Sequence, residues 1–163
     1  MSVNTVFVSH THEDADFARV LKEWLDETFL GAVECFVSSS PESLGPGTDW
    51  PELLKKNLQN SSLSLVLLSP GSLARPWLNF EAGAAYVRGV PVIPICIAGL
   101  KVADLAAPLS FLQAIQLDVV EDQRTLLTAI GRAVGLRTPK NIEVPKLPAR
   151  TSEMPPRQMP RQA

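Results

Sequence analysis

Two hydrophobic rhythms alternate along this chain. Short, nearly unbroken apolar runs at Thr5 to Ser9, Val33 to Val37, Ser62 to Leu68, Val90 to Ile97 and Ala114 to Leu117 each read as a β-strand. Between them the period changes. Phe17, Val20, Leu21, Trp24 and Leu25 recur at the spacing of one helical stripe, which predicts a helix from about Asp14 to Thr28. Asp49 can cap a second helix carrying Leu53, Leu54 and Leu58, with Pro51 tolerated in its first turn. Pro76 opens a third helix, and Leu126, Leu127, Ile130 and Val134 mark a last one. Strands that are apolar throughout, separated by helices, mean a parallel sheet covered on both faces. The expected fold class is α/β, a flavodoxin-like three-layer sandwich whose five-stranded parallel sheet has the order 2-1-3-4-5. In that order the chain reverses direction between strands one and three, so a ligand site is expected outside their carboxyl ends.

Periodicity stops after Gly135. Residues 1–136 are expected to form one domain, and residues 137–163 to form a Pro-rich, basic, disordered tail or linker. Six of the fourteen prolines lie from Thr138 onward. Charge divides the same way. Residues 1–136 hold nine Lys/Arg against fifteen Asp/Glu, net −6, whereas 137–163 hold six against two, net +4. An acidic domain is not built to bind nucleic acid. The longest apolar run, Val90 to Leu100, contains prolines and is about half a membrane span, and the start lacks a basic segment leading an apolar one. A cytoplasmic protein without membrane or nucleic-acid partners is expected. Cys35 and Cys96 lie in strand-like runs without metal-like spacing, and read as buried free thiols.

Candidate chemistry gathers at the two loops that the topology brings together. The first loop carries Ser9-His10-Thr11-His12, and the second runs from Ser69-Pro70 to Trp77 and Glu81. Trp77 and Glu81 are four residues apart, hence on one helical face. The four residues after Glu81 are all small, which lets that helix pack closely. On position alone Glu81 suits either a catalytic carboxylate or a solvated surface acid. His10-Thr11-His12-Glu13-Asp14 has the form His-x-His-x-Asp, the opening of a metallo-β-lactamase metal motif. That motif needs further histidines, which a chain with two cannot supply, so no metal is expected and Asp14 reads better as a helix cap. A receiver domain would need an aspartate at the end of strand three, where Ser69 stands.

Phe7-Val8-Ser9-His10 at the end of strand one, Leu44-Gly45-Pro46-Gly47 after strand two, Leu68-Ser69-Pro70 after strand three, and Trp77 four residues before Glu81 occur in the right order on the expected strand ends. Together they resemble a Toll/interleukin receptor (TIR) domain over about residues 4–135. The form Trp-x-x-Phe-Glu-Ala-Gly-Ala-Ala looks bacterial. The resemblance implies an NAD+ nucleosidase that cleaves the nicotinamide–ribose bond, releasing nicotinamide and ADP-ribose or a cyclic product, in antiviral defence signalling. NAD+ would then be substrate, with no cofactor. It also implies self-association through TIR–TIR contacts, and a downstream effector or fused sensor domain as further partner. The family's catalytic glutamate falls on Glu81. Its substrate contacts fall on Ser9 and His10, its pocket-gating loop on Gly45, Pro46 and Gly47, and Trp77 either touches substrate or packs at the helix base. His10 departs from the aromatic residue common there, and Ser38 or Ser39 replaces an acidic residue often found early in the gating loop. Trp50 either stacks on a base or anchors the core. The alternative to an enzyme is a non-catalytic scaffold acting by self-association.

Overall fold

The computed structural model describes residues 4–38, 46–47, 50–140 and 142–148, excluding the side chains of residues 38, 50, 51, 53, 54 and 76–81. Five strands, β1 (Thr5–Ser9), β2 (Glu34–Ser38), β3 (Leu63–Leu68), β4 (Val92–Cys96) and β5 (Ile115–Gln116), form one sheet in the order β2-β1-β3-β4-β5. All four pairings are parallel. The helices are α1 (Ala15–Thr28), α2 (Trp50–Gln59), α3 (Pro76–Val87) and α4 (Val120–Val134). This is the expected flavodoxin-like α/β architecture.

Alternation along each strand divides the core. Val6, Val8, Leu65, Leu67 and Ile95 point to the layer holding α1 and α4, where they meet Leu21, Leu25, Leu126 and Ile130. Val66, Leu68 and Cys96 point the other way, toward Ala82 of α3, and Phe7 meets Leu58 of α2 and Ala85 of α3. Because both faces are covered, positions along the strands are apolar nearly throughout, and the strand sequences read as continuous apolar runs. Phe7 also lies beside Phe36 in the β1–β2 register, with ring centroids 5.8 Å apart and planes 12° from parallel. Pro94 is tolerated in β4 because β5 pairs only with Ile95 and Cys96, leaving the β5 side open at position 94. The strand predicted over Ala114 to Leu117 shortens accordingly. β5 is the edge strand, where Leu117 N–H still donates to the Cys96 carbonyl and Gln116 N–H donates to Asp122 Oδ2 of α4 at 2.7 Å.

Of the small residues that follow position 81, Ala82 and Ala85 are buried and set how closely α3 approaches the sheet. Gly83 is exposed, and a methyl built there meets nothing within 4 Å. Its smallness is therefore not required by packing.

The segment read from composition as a disordered tail packs on the domain over residues 142–148. Gly135 ends α4 in the left-handed conformation, φ 72°. The chain then turns back so tightly over Gly131 that a β-carbon there would lie 2.8 Å from the Leu136 carbonyl oxygen. Farther on, Ile142 and Leu147 pack against the core, Pro145 is buried, and Trp24 Nε1 donates to the Glu143 carbonyl at 2.8 Å. Four contacts, at Ile142, Glu143, Pro145 and Leu147, thus hold a strap that has no hydrophobic period of its own.

Cys35 and Cys96 are free and buried. Burial pushes the Cys35 thiol up from an ordinary 9.0 to about 12, and the Cys96 thiol to about 11.

Four outcomes follow from this packing. Removing Pro139–Ala163 takes away the strap, with its apolar burial and the acceptor of Trp24 Nε1, and is expected to cost about 2 kcal/mol and several degrees of melting temperature. An unchanged melting temperature would show that the strap contributes nothing. Gly83→Ala should raise stability by about 0.5–1 kcal/mol in chemical denaturation, because α3 gains a better helix former without a clash. The folded thiols keep their protons when unfolded ones ionise, so stability should fall as pH rises from 9 to about 11. At pH 8 neither thiol should react with a chromogenic disulfide until the protein is unfolded.

Candidate functional site

β1 delivers three buried polar residues, Ser9, His10 and Thr11, to its carboxyl end. Ser9 Oγ is buried without a hydrogen-bond partner, a condition that costs a protein about 1–3 kcal/mol and marks a hydroxyl available to something else. His10 Nδ1 lies 2.6 Å from the Thr11 carbonyl oxygen. A carbonyl only accepts, so Nδ1–H is the donor in this contact, and the ring is held in one orientation. His10 is thus a buried, oriented imidazole rather than a polar turn residue. His12, two residues on, is exposed in a single 3-10 turn over His12–Asp14, so the two imidazoles do not share an environment.

Asp14 occupies the N-cap position of α1 but makes no side-chain cap bond. Its carboxylate is fully buried and turns toward the other loop, where Oδ2 accepts from Ser69 Oγ at 2.9 Å and from Thr11 Oγ1 at 3.2 Å. Capping is replaced by a bridge. On the β3 side, Ser69 N–H donates to Ser72 Oγ at 2.8 Å and Ser72 N–H donates to Ser69 Oγ at 3.2 Å, a reciprocal pair that closes the turn. Leu73 N–H donates to the Ser69 carbonyl and Arg75 N–H to the Ser72 carbonyl, carrying that turn up to the start of α3. A second contact spans the loops outside this cluster. Glu13 pairs with Arg75 at 3.5 Å, both partly exposed, and Glu13 Oε2 would lie 2.7 Å from a β-carbon added at Gly71.

Arg75 is the N-cap of α3 and Pro76 its first residue, where a missing N–H is harmless. Position 81 is therefore the sixth of the helix, beyond the first turn, to which the dipole's influence is confined. Position 81 lies one turn before buried Ala85 and next to buried Ala82 in the sequence of α3. The side chains of Glu81, Trp77 and Trp50 lie outside the described set, as do residues 39–45 with Gly45, and Asp49. Pro46 and Gly47 are exposed, with Gly47 at φ 85°.

The structure therefore brings Ser9 and His10 beside the loop that leads into α3, as the reversal of direction between β1 and β3 requires. Sequence reasoning missed the parts played by Asp14, Ser69 and Ser72. A serine pair three apart just after an apolar strand is a local signal for the turn. Nothing local signals a bond between residues 55 positions apart. Among the described residues no three His, Cys, Asp or Glu side chains are grouped to hold a metal ion, and no helix is long and apolar enough to cross a membrane.

Comparison with solved structures finds a metazoan TIR-STING receptor from C. gigas in complex with 2',3'-cGAMP, with a TM-score of 0.54 and 25% identity over 79% of this chain and 38% of that one. A second structure of the C. gigas TIR-STING receptor matches with a TM-score of 0.52 and 24% identity, over 79% of this chain and 39% of the other. The chain thus spans less than two-fifths of the C. gigas receptor. The TIR domain of the Toll-related Receptor TRR-2 from Hydra magnipapillata matches with a TM-score of 0.58 and 14% identity over 80% of this chain and 97% of that one, a likeness of fold. No curated protein matched. The family model described as TIR domain matches residues 6–128, which takes in every strand and both site loops, and the chain belongs to the TIR domain family.

Proposed function

We propose that this TIR domain is an NAD+ nucleosidase in which Glu81 is the catalytic residue. The observation that carries the reading is the convergence of two loops at the switch point, one presenting the unpartnered Ser9 hydroxyl and an oriented His10, the other leading through a braced turn into the helix that bears Glu81. Breaking the nicotinamide–ribose bond develops positive charge on the ribose, and a fixed carboxylate beside it stabilises that oxocarbenium-like state. Nicotinamide leaves from a cationic pyridinium and needs no general acid. One carboxylate suffices, with Ser9 and His10 supplying hydrogen bonds to substrate hydroxyls and Trp77 and the Gly45 loop closing around them. The product is ADP-ribose or a cyclic form, according to whether water or an adenine atom captures the ribosyl cation. A cytoplasmic role in bacterial antiviral signalling, with an effector or fused sensor as partner, is the biological setting that fits this chemistry.

A second reading, a scaffold that works by self-association, is supported by the apolar side chains that α3 and the segment after Pro108 leave exposed. Tyr86 and Phe111 are 71% and 82% exposed and flank a groove of about 370 Å³ whose lining includes Gly83 and Leu112. Adjacent large apolar groups left in water mark a contact surface, here for a second copy of the chain. Self-association and catalysis are compatible if neighbours order the site.

Glu81→Gln keeps the shape and removes the charge. Nicotinamide release should fall roughly 100- to 1,000-fold, the usual effect of losing one preorganised electrostatic contact, about 2–4 kcal/mol. Glu121→Gln, on the exposed first turn of α4, serves as the charge control and should match the parent. A Glu81→Gln protein that keeps most of an active parent's turnover would exclude the mechanism, and an inactive parent would leave the scaffold. Specific activity should also rise with protein concentration, and Phe111→Ser should flatten that rise. Constant specific activity across a wide dilution series argues against assembly.

A further inference from the structure

We propose that Asp14 is a positioning residue that sets the distance between the two halves of the site. The proposal rests on the NAD+ reading above for its consequence in catalysis, but its structural content stands separately. Asp14 lies at the end of the loop that follows Ser9 and His10, and its Oδ2 takes one hydrogen bond from its own loop, Thr11 Oγ1, and one from across the gap, Ser69 Oγ. Both ends of this bridge are stiff. On one side Thr11 is joined to His10 through its carbonyl, and the Asp14 N–H donates to that same carbonyl at 3.0 Å. On the other, Ser69 is locked to Ser72, and the bonded turn runs without a break to Arg75, the N-cap of α3. Moving Asp14 relative to Ser69 must therefore move Ser9 and His10 relative to the start of the Glu81 helix.

Burial argues for such a role. Asp14, Thr11, Ser69 and Ser72 are all buried, and a buried polar cluster contributes little net stability compared with apolar residues of the same shape. What it supplies is geometry, because each bond has a fixed length and direction while apolar contacts slide. The other link between the loops, Glu13 with Arg75, is half in water and holds position weakly. Reacting groups misplaced by about 1 Å lose up to 100-fold in rate, so a bond of this kind at the base of the site has a large kinetic lever.

The test uses the full chain and the variants Asp14→Ala, Asp14→Asn, Ser69→Ala and the Asp14→Ala/Ser69→Ala double variant. All are assayed for nicotinamide release at a temperature where near-ultraviolet dichroism shows each folded. Asp14→Ala should lower kcat roughly 10- to 100-fold with KM changed less than about threefold. Asp14→Asn, which keeps an acceptor oxygen for both hydroxyls, should recover most of that loss. The double variant should be no worse than Asp14→Ala, since both substitutions cut one bridge. A lowered melting temperature with kcat per folded molecule unchanged, or additive losses in the double variant, would overturn the proposal. Hydrogen exchange supplies a readout independent of turnover. Asp14→Ala and Ser69→Ala should each speed exchange in residues 9–14 and 69–75 together, and loosening confined to the substituted loop would refute the bridge. An inactive parent with coupled exchange would retire the NAD+ reading while supporting the bridge.

Discussion

A parallel sheet has no wet face. Every strand in it must find helices above and below, and the helices must come from the connections between strands, since each parallel pairing needs a crossover. In this chain that single requirement generates the rest. It makes β1, β3 and β4 apolar at almost every position, sends α1 and α4 to one side and α2 and α3 to the other, and makes the chain reverse between β1 and β3. The reversal opens the sheet's carboxyl edge at one place. Polar side chains that could not be accommodated within the layers collect there.

What distinguishes this edge is how fully its polar groups are used. Asp14, Thr11, Ser69 and Ser72 satisfy one another across the gap, His10 spends its Nδ1 proton on a backbone carbonyl, and Ser9 Oγ alone among the described buried side-chain atoms has no partner. Such a distribution separates support from contact. The bonded groups fix the frame, and the unbonded hydroxyl together with His10 Nε2 keeps its capacity for a ligand. Position 81 stands on the same frame because α3 begins where the Ser69–Ser72 turn ends.

The opposite layer shows how a stretch without periodicity can still belong to a core. Gly131 lets the chain double back, and the strap from Ile142 to Pro148 then covers part of α1, using the Trp24 indole N–H as its anchor. Val20, which the helical stripe assigns to the core, sits only half-buried and lines a cleft of about 300 Å³ under that strap. The apolar stripe of α1 is therefore wider than the sheet alone would need, and the strap takes up the excess. The family model ends at residue 128, before Gly131 and the strap, which makes this cover a feature of the chain rather than of the matched region.

Strand and helix identity, the parallel sheet with its order, and the pairing of the β1 and β3 loops were all legible in the sequence, because hydrophobic period and alternation of elements are local or nearly local and the topology rules act on them. Boundaries moved by one or two residues where the ladder ran out of partners, as at β5. The candidate site loops and the role proposed for position 81 also rest on sequence, through short motifs at strand ends. Two things did not. Asp14 looks like a cap because its neighbours in sequence offer a helix start, whereas its bond partner lies 55 residues away. The packing of residues 142–148 on α1 leaves no periodic trace because its contacts are few and specific. In both cases the deciding contacts join groups far apart in the chain. Hydrophobic pattern sums over many weak, interchangeable contacts and so survives in one dimension, but a hydrogen bond between two particular side chains exists only once the fold has brought them within about 3 Å.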